Sequence, residues 1–317
     1  MKKGVSYLLQ AALAVGCLAY AFAGVDLGSV LEQLRAFDPV ALLGILAVTA
    51  LAYVVMGLRL AALAPGPIRL GTGIAASVLC IGLNSLLPAR LGEVAKGLHL
   101  HQRAGLPAQG LLTMVLVERL FDVVVLLGLG VTLAVSLGRD IPGPALVAAL
   151  LAALGCLALV VRYPALGNAL VNLAPHQRLR HFLRGALEAL RAYSSLRRLA
   201  VPALLTLVLW GLSLAYVALV ILWLAGLPLD MTQVLTVFTT SMAGNAVPGA
   251  PGGLGVYEGA VVASLGWAGI AKGQALAVAV VLRAYNSIPP VLGAAWVLWR
   301  SDLRLDKLWK KRDVSQH

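Results

Sequence analysis

The chain has 317 residues, of which 60% are hydrophobic and only 12% are charged. A water-soluble globular domain carries about 25% charged residues, so this composition excludes an ordinary soluble fold. The net charge of +12 would suit a nucleic-acid binder, but the basic residues lie in short gaps between apolar stretches. Cytoplasmic loops of membrane proteins collect Lys and Arg in this way, and we therefore expect no nucleic-acid partner.

The first half of the chain is predicted to contain four membrane spans and one interrupted segment. Apolar stretches of about 20 residues cross a bilayer as helices, and here they are residues 5–24, 39–63, 108–137 and 141–161. Pro39 suits the start of a helix, where its missing N–H costs nothing. The segment 71–97 is apolar at first and is then interrupted by Asn84, Pro88 and Gly92.

The N-terminal apolar run has two interpretations. Lys2 and Lys3 precede it, as in a cleavable signal peptide. The run from Val5 to Val25 is long for a signal peptide, so we expect a retained first helix.

Residues 168–198 form a polar, basic connection between the two halves. Apolar residues recur at helical spacing and are surrounded by Arg178, Arg180, Arg184, Arg191, Arg197 and Arg198. This pattern is typical of an amphipathic helix on an anionic lipid leaflet. A solvated linker helix is the alternative.

The second half repeats the plan of the first. Residues 201–227 and 274–299 are predicted spans, and a basic tail occupies 301–317. Between the spans, the apolar segment 231–266 is interrupted by Asn245, Pro248, Pro251, Gly253 and Gly255.

The two interrupted segments resemble each other, because each has Asn, then Pro, then Gly, then Glu. Arg119 follows Glu93 by 26 residues, and Arg283 follows Glu258 by 25. Such pairs of Gly/Pro-interrupted segments are typical of transporters built from inverted repeats. We therefore predict an all-α polytopic membrane protein with two re-entrant broken helices and about six full spans. The single membrane domain, 1–317, would contain the repeats 1–165 and 199–300.

The charge distribution also predicts the topology. With both broken segments re-entrant, most of the 25 Lys and Arg residues fall on the cytoplasmic side. Both termini and residues 168–198 are then cytoplasmic, and the membrane is the inner (plasma) membrane.

Charged residues within the apolar segments are the candidate site. Each costs about 2.5–3.5 kcal/mol at the bilayer centre unless it is paired or hydrated. The predicted substrate-binding residues are Asn84, Arg90, Glu93, Arg119, Asp122, Asn245, Glu258 and Arg283. Arginines would bind an anionic headgroup as bidentate donors, and carboxylates, including Glu118, would balance them. The alternative is that these residues are structural ion pairs and that the two asparagines cap half-helices.

The three cysteines, Cys17, Cys80 and Cys156, each lie alone in an apolar stretch. We interpret them as small buried hydrophobic residues. No Cys/His cluster occurs, so we expect neither a metal site nor a cofactor.

Three motifs carry a family resemblance: Leu87-Pro-Ala-Arg-Leu-Gly-Glu93, Val117-Glu-Arg-Leu-Phe-Asp122 and Pro248-Gly-Ala-Pro-Gly-Gly-Leu-Gly-Val-Tyr-Glu258. At these motifs the chain resembles the flippase-like family that includes the transmembrane region of lysylphosphatidylglycerol synthase. The resemblance implies the translocation of a phospholipid or polyprenyl-linked lipid. The chain ends shortly after its last predicted span, so we expect the synthase domain of the bifunctional relatives to be absent.

Two other functions remain open: a membrane-embedded enzyme acting on a lipid-linked substrate, and an accessory scaffold. Glu93, Asp122 and Glu258 are possible acids or bases. The sequence shows no nucleophile–base pair, so we predict that the protein is not an enzyme.

Overall fold

The computed structural model describes residues 16–25, 27–35, 37–87, 91–136, 162–173, 196–246 and 253–301, and isolated positions between 148 and 191. Every element in these ranges is helical. The helices are α1 (16–22), α2 (Leu27–Arg35), α3 (Pro39–Leu63), α4 (Leu70–Leu86), α5 (Leu91–Ala104), α6 (Ala108–Ser136), α7 (Pro164–Asn172), α8 (Leu196–Ala218, continued by a π-helical turn Leu219–Leu224), α9 (Met231–Ala246), α10 (Val256–Trp267) and α11 (Lys272–Arg300).

Three helices in the described ranges are long and apolar enough to cross a membrane: Pro39–Leu63, Arg198–Leu224 and Lys272–Arg300. Their outward faces carry large apolar side chains such as Leu43, Leu204 and Leu292, which are all more than 60% exposed. Such faces suit a lipid environment and not water. The chain is an all-α polytopic membrane protein, as the sequence predicts.

The first interrupted segment folds into a helical hairpin of α4 and α5. The Asn84 Oδ1 atom accepts a hydrogen bond of 2.8 Å from the Gly92 N–H, across the break. A Cβ at Gly92 would lie 2.0 Å from the carbonyl oxygen of Cys80. Only glycine therefore allows α5 to pack this closely against α4.

The second interrupted segment folds in the same manner, into a hairpin of α9 and α10. A Cβ at Gly244 would lie 3.1 Å from the Ala260 Cβ and 3.2 Å from the Val256 oxygen. Gly255 has a φ of 85°, a conformation that favours glycine. Its N–H donates to the Glu258 carboxylate at 2.7 Å, which caps the start of α10.

The long helix α11 packs against the first hairpin through small residues. A Cβ at Gly82 of α4 would lie 2.2 Å from the carbonyl oxygen of Pro290. Pro289 and Pro290 lie within α11 and lack the N–H donors of a regular helix. At this contact α4 presents Gly82, which has no side chain, so the two helices approach closely.

One end of the helix bundle, which we call the Lys272 end, is defined by contacts between distant parts of the chain. The Lys272 ammonium donates to the Ala23 oxygen at 2.8 Å and lies 4.7 Å from the centre of the Tyr20 ring. At the opposite end, Leu199 of α8 packs against a cluster that includes Leu63 and Leu100.

Several element boundaries differ from those predicted. α8 begins at Leu196, before the predicted residue 201, because Leu199 packs into the core. A short helix, α2, lies in the connection 26–38 between the first two predicted spans, since Val30 and Leu34 pack against the main core. The predicted Pro39 start of α3 is confirmed, with Asp38 capping the helix.

Some predicted features lie outside the described residues. These are residues 5–15 of the first predicted span, most of the span 141–161, most of the amphipathic segment 168–198, the tail beyond residue 301, and the break residues Pro88, Arg90, Pro248 and Pro251. α7 ends at Asn172, within the amphipathic segment. The inverted repeat, the re-entrant placement of the hairpins and the orientation stay predictions.

Candidate functional site

An ionic network joins α3, α5 and α6 around the Glu118 carboxylate. The Arg59 guanidinium lies 2.6 Å from Glu118 Oε1, and the Lys96 ammonium lies 2.8 Å from Oε2. The side chains of Arg59, Lys96 and Glu118 are 4%, 3% and 9% exposed. Both carboxylate oxygens of Glu118 are therefore neutralised by cations that are buried with it.

The rim of this network is formed by Glu93, Arg119 and Asp122. Arg119 lies 3.0 Å from Glu93 and 3.4 Å from Asp122. Glu93 also pairs with Lys96 at 2.8 Å, and Asp122 with Arg59 at 2.7 Å. The Arg119 side chain is 45% exposed although it pairs with two carboxylates.

The network contains three cations and three carboxylates, so its formal charge is zero. This balance explains how the charges remain buried, because removal of one partner leaves another charge unpaired. The cost of such a loss is about 3–5 kcal/mol for a fully buried pair. Arg59, Lys96 and Glu118 meet that description, whereas Arg119 does not.

A second ion pair lies at the start of α10. Arg283 of α11 contacts Glu258 through Nε at 2.5 Å and donates to the Gly253 carbonyl at 3.1 Å. Its guanidinium stands 4.6 Å from the centre of the buried Tyr257 ring. Arg283 thus connects α11 both to the first turn of α10 and to the break that precedes it.

Trp210 of α8 connects the ionic network to the second hairpin. Its indole N–H donates to Asp122 at 3.3 Å. The same ring makes an edge-on contact with Phe238 of α9, with 5.9 Å between ring centres. A continuous series of contacts therefore runs from Arg119 through Asp122 and Trp210 to α9.

The two asparagines have different surroundings. The Asn84 Oδ1 atom accepts a hydrogen bond from the Gly92 N–H at the start of α5, as the capping alternative predicts. Asn245 is exposed, and its Oδ1 lies 3.1 Å from the position a Cβ at Gly253 would take. The asparagine and the glycine it approaches are eight residues apart in both hairpins. The convergence of all predicted site residues on one cavity stays a prediction.

Sequence analysis did not include Arg59 and Lys96 among the candidate site residues. Both are buried, at 3% and 2% exposure, and belong to the network. Two signals in the sequence point to them: Arg59 precedes the end of the apolar run 39–63, and Lys96 follows Glu93 by three residues on one helix face. Neither signal identifies Glu118 as their shared partner.

A comparison with protein families finds one match that extends over most of the chain. The family model described as the lysylphosphatidylglycerol synthase TM region matches residues 7–294. No curated protein matches the chain. Because the match extends over all the helices that carry the ionic network and both hairpins, the chain belongs to the lysylphosphatidylglycerol synthase TM region family.

Proposed function

We propose that the protein is a lipid translocase that moves a lipid with a polar headgroup across the plasma membrane. The headgroup is anionic, aminoacylated or glycosylated, and the lipid is a phospholipid or a polyprenyl-linked lipid. Membership of a membrane family connected with lipids supports the substrate class. Both termini are cytoplasmic in this proposal, and the basic segment 168–198 binds anionic lipid on that side.

The observation that carries the proposal is the exposure of Arg119. Its guanidinium is held in place by Glu93 and Asp122, yet its side chain is 45% exposed, against 4% for Arg59. A guanidinium offers five donors, so two carboxylate contacts leave donors for a phosphate oxygen. Arg119 is therefore fixed in position and accessible at the same time, which is what a headgroup ligand needs.

The other charges have supporting roles in this proposal. Arg59, Lys96 and Glu118 hold α3, α5 and α6 together and keep Glu93 and Asp122 in place around Arg119. Arg283 and Glu258 fix the second break. Such a division matches the burial of each group, because a charge that is enclosed and fully paired has no face left for a substrate.

The test is lipid movement in proteoliposomes. The protein is reconstituted with acyl-labelled phosphatidylglycerol, and dithionite bleaching measures how fast the label crosses the bilayer. We expect wild type to move the lipid, Arg119→Ala to lose at least tenfold in rate, and Arg119→Lys to keep part of it. Arg69→Ala is the matched control, since Arg69 is exposed and its side chain makes no capping bond.

Two outcomes contradict the proposal. Wild-type vesicles that move lipid no faster than empty vesicles contradict translocation, and an Arg119→Ala rate equal to that of Arg69→Ala contradicts the role of Arg119. Mass spectrometry of the recovered lipid tests the enzyme alternative, because a chemically changed headgroup would show an embedded enzyme.

A further inference from the structure

The charge balance of the ionic network changes when a phosphate binds at Arg119. Without a ligand, the cations of Arg59, Lys96 and Arg119 balance three carboxylates. A phosphate oxygen that shares the Arg119 guanidinium adds a fourth anion, so that one negative charge has no cation to match it. An unmatched charge among buried groups is unfavourable, because little water is present to screen it. The occupied network therefore needs one further positive charge.

Asp122 keeps two other partners when Arg119 engages a ligand. Its Oδ1 atom accepts a hydrogen bond of 2.7 Å from the Arg59 guanidinium and one of 3.3 Å from the Trp210 indole N–H. Its contact with Arg119 is made by Oδ2 and is longer, at 3.4 Å. The negative charge of Asp122 thus stays neutralised by Arg59 in the occupied network.

Glu93 depends more directly on Arg119. Its Oε1 atom lies 3.0 Å from Arg119, the shorter of the two Arg119 contacts. Its Oε2 atom lies 2.8 Å from the Lys96 ammonium, which also neutralises Glu118 at 2.8 Å. When a phosphate competes for Arg119, Glu93 is left with a share in one cation. The Glu93 side chain is 20% exposed, against 9% for Glu118, so it is the more accessible of the two carboxylates.

The other helices around Glu93 supply no further cation. The charged and titratable groups near it are Lys96 on α5, Glu118, Arg119 and Asp122 on α6, Arg59 on α3 and Cys80 on α4. The helix α4, which forms the hairpin with α5, contains no charged residue. The charge that balances a bound phosphate must therefore come from outside the network, and a proton is the smallest cation that a carboxylate accepts.

We infer that Glu93 takes up one proton when an anionic headgroup binds at Arg119, so that the lipid and a proton move together. The proton passes from water to Glu93 Oε1, which converts the carboxylate into a carboxylic acid, and it returns to water when the headgroup leaves. The carboxylic acid is a hydrogen-bond donor and can bind the same phosphate. A zwitterionic headgroup brings its own cation and needs no proton. The inference rests on the proposed function, because it takes the phosphate to be bound at Arg119.

The first experiment measures proton uptake on binding, without any transport. The purified protein in detergent is titrated calorimetrically with short-chain phosphatidylglycerol in two buffers of the same pH and different ionisation enthalpy. The difference between the two binding enthalpies gives the number of protons taken up per lipid bound. We expect about one proton for phosphatidylglycerol and none for phosphatidylcholine. A proton number of zero for phosphatidylglycerol would overturn the inference, and absence of binding would overturn the proposed function with it.

Variants assign the proton to Glu93. Glu93→Gln has the shape and charge of the protonated side chain, so it should bind phosphatidylglycerol without proton uptake. Glu32→Gln, at an exposed carboxylate on α2 outside the network, is the control and should keep the wild-type proton number. The infrared carbonyl band of the protonated carboxyl group should shift in Glu93→Asp and not in Asp122→Glu. A band that shifts only in Asp122→Glu, or a proton number that survives in Glu93→Gln, would overturn the inference.

The second experiment measures coupling during transport. Proteoliposomes contain acyl-labelled lipid and a trapped pH indicator, and a proton gradient is imposed that is acidic on the side from which the lipid starts. We expect the gradient to speed phosphatidylglycerol movement severalfold in wild type and in Glu32→Gln, and to leave phosphatidylcholine movement and the Glu93→Gln variant unaffected. Equal phosphatidylglycerol rates with and without the gradient would overturn the coupling. If wild type moves no lipid, the proposed function fails, and the proton number on binding still decides whether Glu93 is protonated.

Discussion

At the residue scale, burial separates charges that the sequence presents as equivalent. Arg59 and Arg119 both pair with two carboxylates on α5 or α6, but the Arg59 side chain is 4% exposed and that of Arg119 is 45% exposed. A buried, doubly paired guanidinium stabilises the fold only while both partners are present. The same substitution at the two positions should therefore have different consequences.

Arg59→Met should destabilise the protein, because Glu118 and Asp122 each lose a cation in a buried site. We expect a loss of about 3–5 kcal/mol in the free energy of unfolding, seen as a lower thermal unfolding midpoint in detergent. Arg69→Met, at an exposed position, is the control. An Arg59→Met midpoint equal to that of the control would show that the network is not a source of stability.

Glu258 and Arg283 should behave as a clamp. Arg283→Leu alone leaves the buried Glu258 carboxylate without its ion partner and should lower the unfolding midpoint. Adding Glu258→Gln removes the charge and keeps an acceptor for the Gly255 N–H, so the double variant should recover part of the loss. Transport should recover with it. A stable double variant that moves no lipid would instead make Arg283 a headgroup ligand.

At the element scale, the hairpin of α4 and α5 depends on one close backbone approach. Gly92 leaves no room for a side chain against Cys80, whereas a Cβ at Gly97 of the same helix would meet only Leu111, at an ordinary 4.0 Å. Glycine in a helix is otherwise unfavourable relative to alanine by about 0.5–1 kcal/mol. Substitution by alanine should therefore destabilise the hairpin at Gly92 and not at Gly97.

Gly92→Ala should push α5 away from α4, lower the unfolding midpoint and displace Glu93 from Arg119. Gly97→Ala should leave the midpoint unchanged or raise it, because the helix propensity improves without a clash. Thermal unfolding of the two variants, with lipid movement as a second measurement, compares them directly. Equal midpoints for both variants would mean that the hairpin is not closely packed at Gly92.

At the scale of the whole molecule, the ends of the helices fall into two groups. The contact of Lys272 with Ala23 places the end of α1 and the start of α11 together, and Leu199 lies with Leu63 and Leu100 at the opposite end. This arrangement is compatible with the predicted topology, because a cytoplasmic N-terminus followed by one span places the connection 26–38 outside. The side of the membrane is a prediction from charge.

Cysteine labelling from outside intact cells tests that orientation. In a chain without native cysteines, an impermeant reagent should label Asp140→Cys and should not label Arg180→Cys or Lys310→Cys. Permeabilised cells should show labelling at all three positions, which controls for intrinsic reactivity. Labelling of Arg180→Cys in intact cells would reverse the orientation.

The sequence by itself determined the membrane class, the positions of the breaks and the long helices, because apolar runs and Gly/Pro interruptions act locally. The similar spacings of Glu93 to Arg119 and of Glu258 to Arg283 indicated two related segments, and the tertiary structure shows that each is an ion pair. Only the tertiary structure decided that Arg59 and Lys96 share Glu118, since this contact joins three helices distant in sequence. It also decided that Arg119 is exposed while Arg59 is enclosed. Burial depends on which helices pack together, and the pattern within one segment does not contain that information.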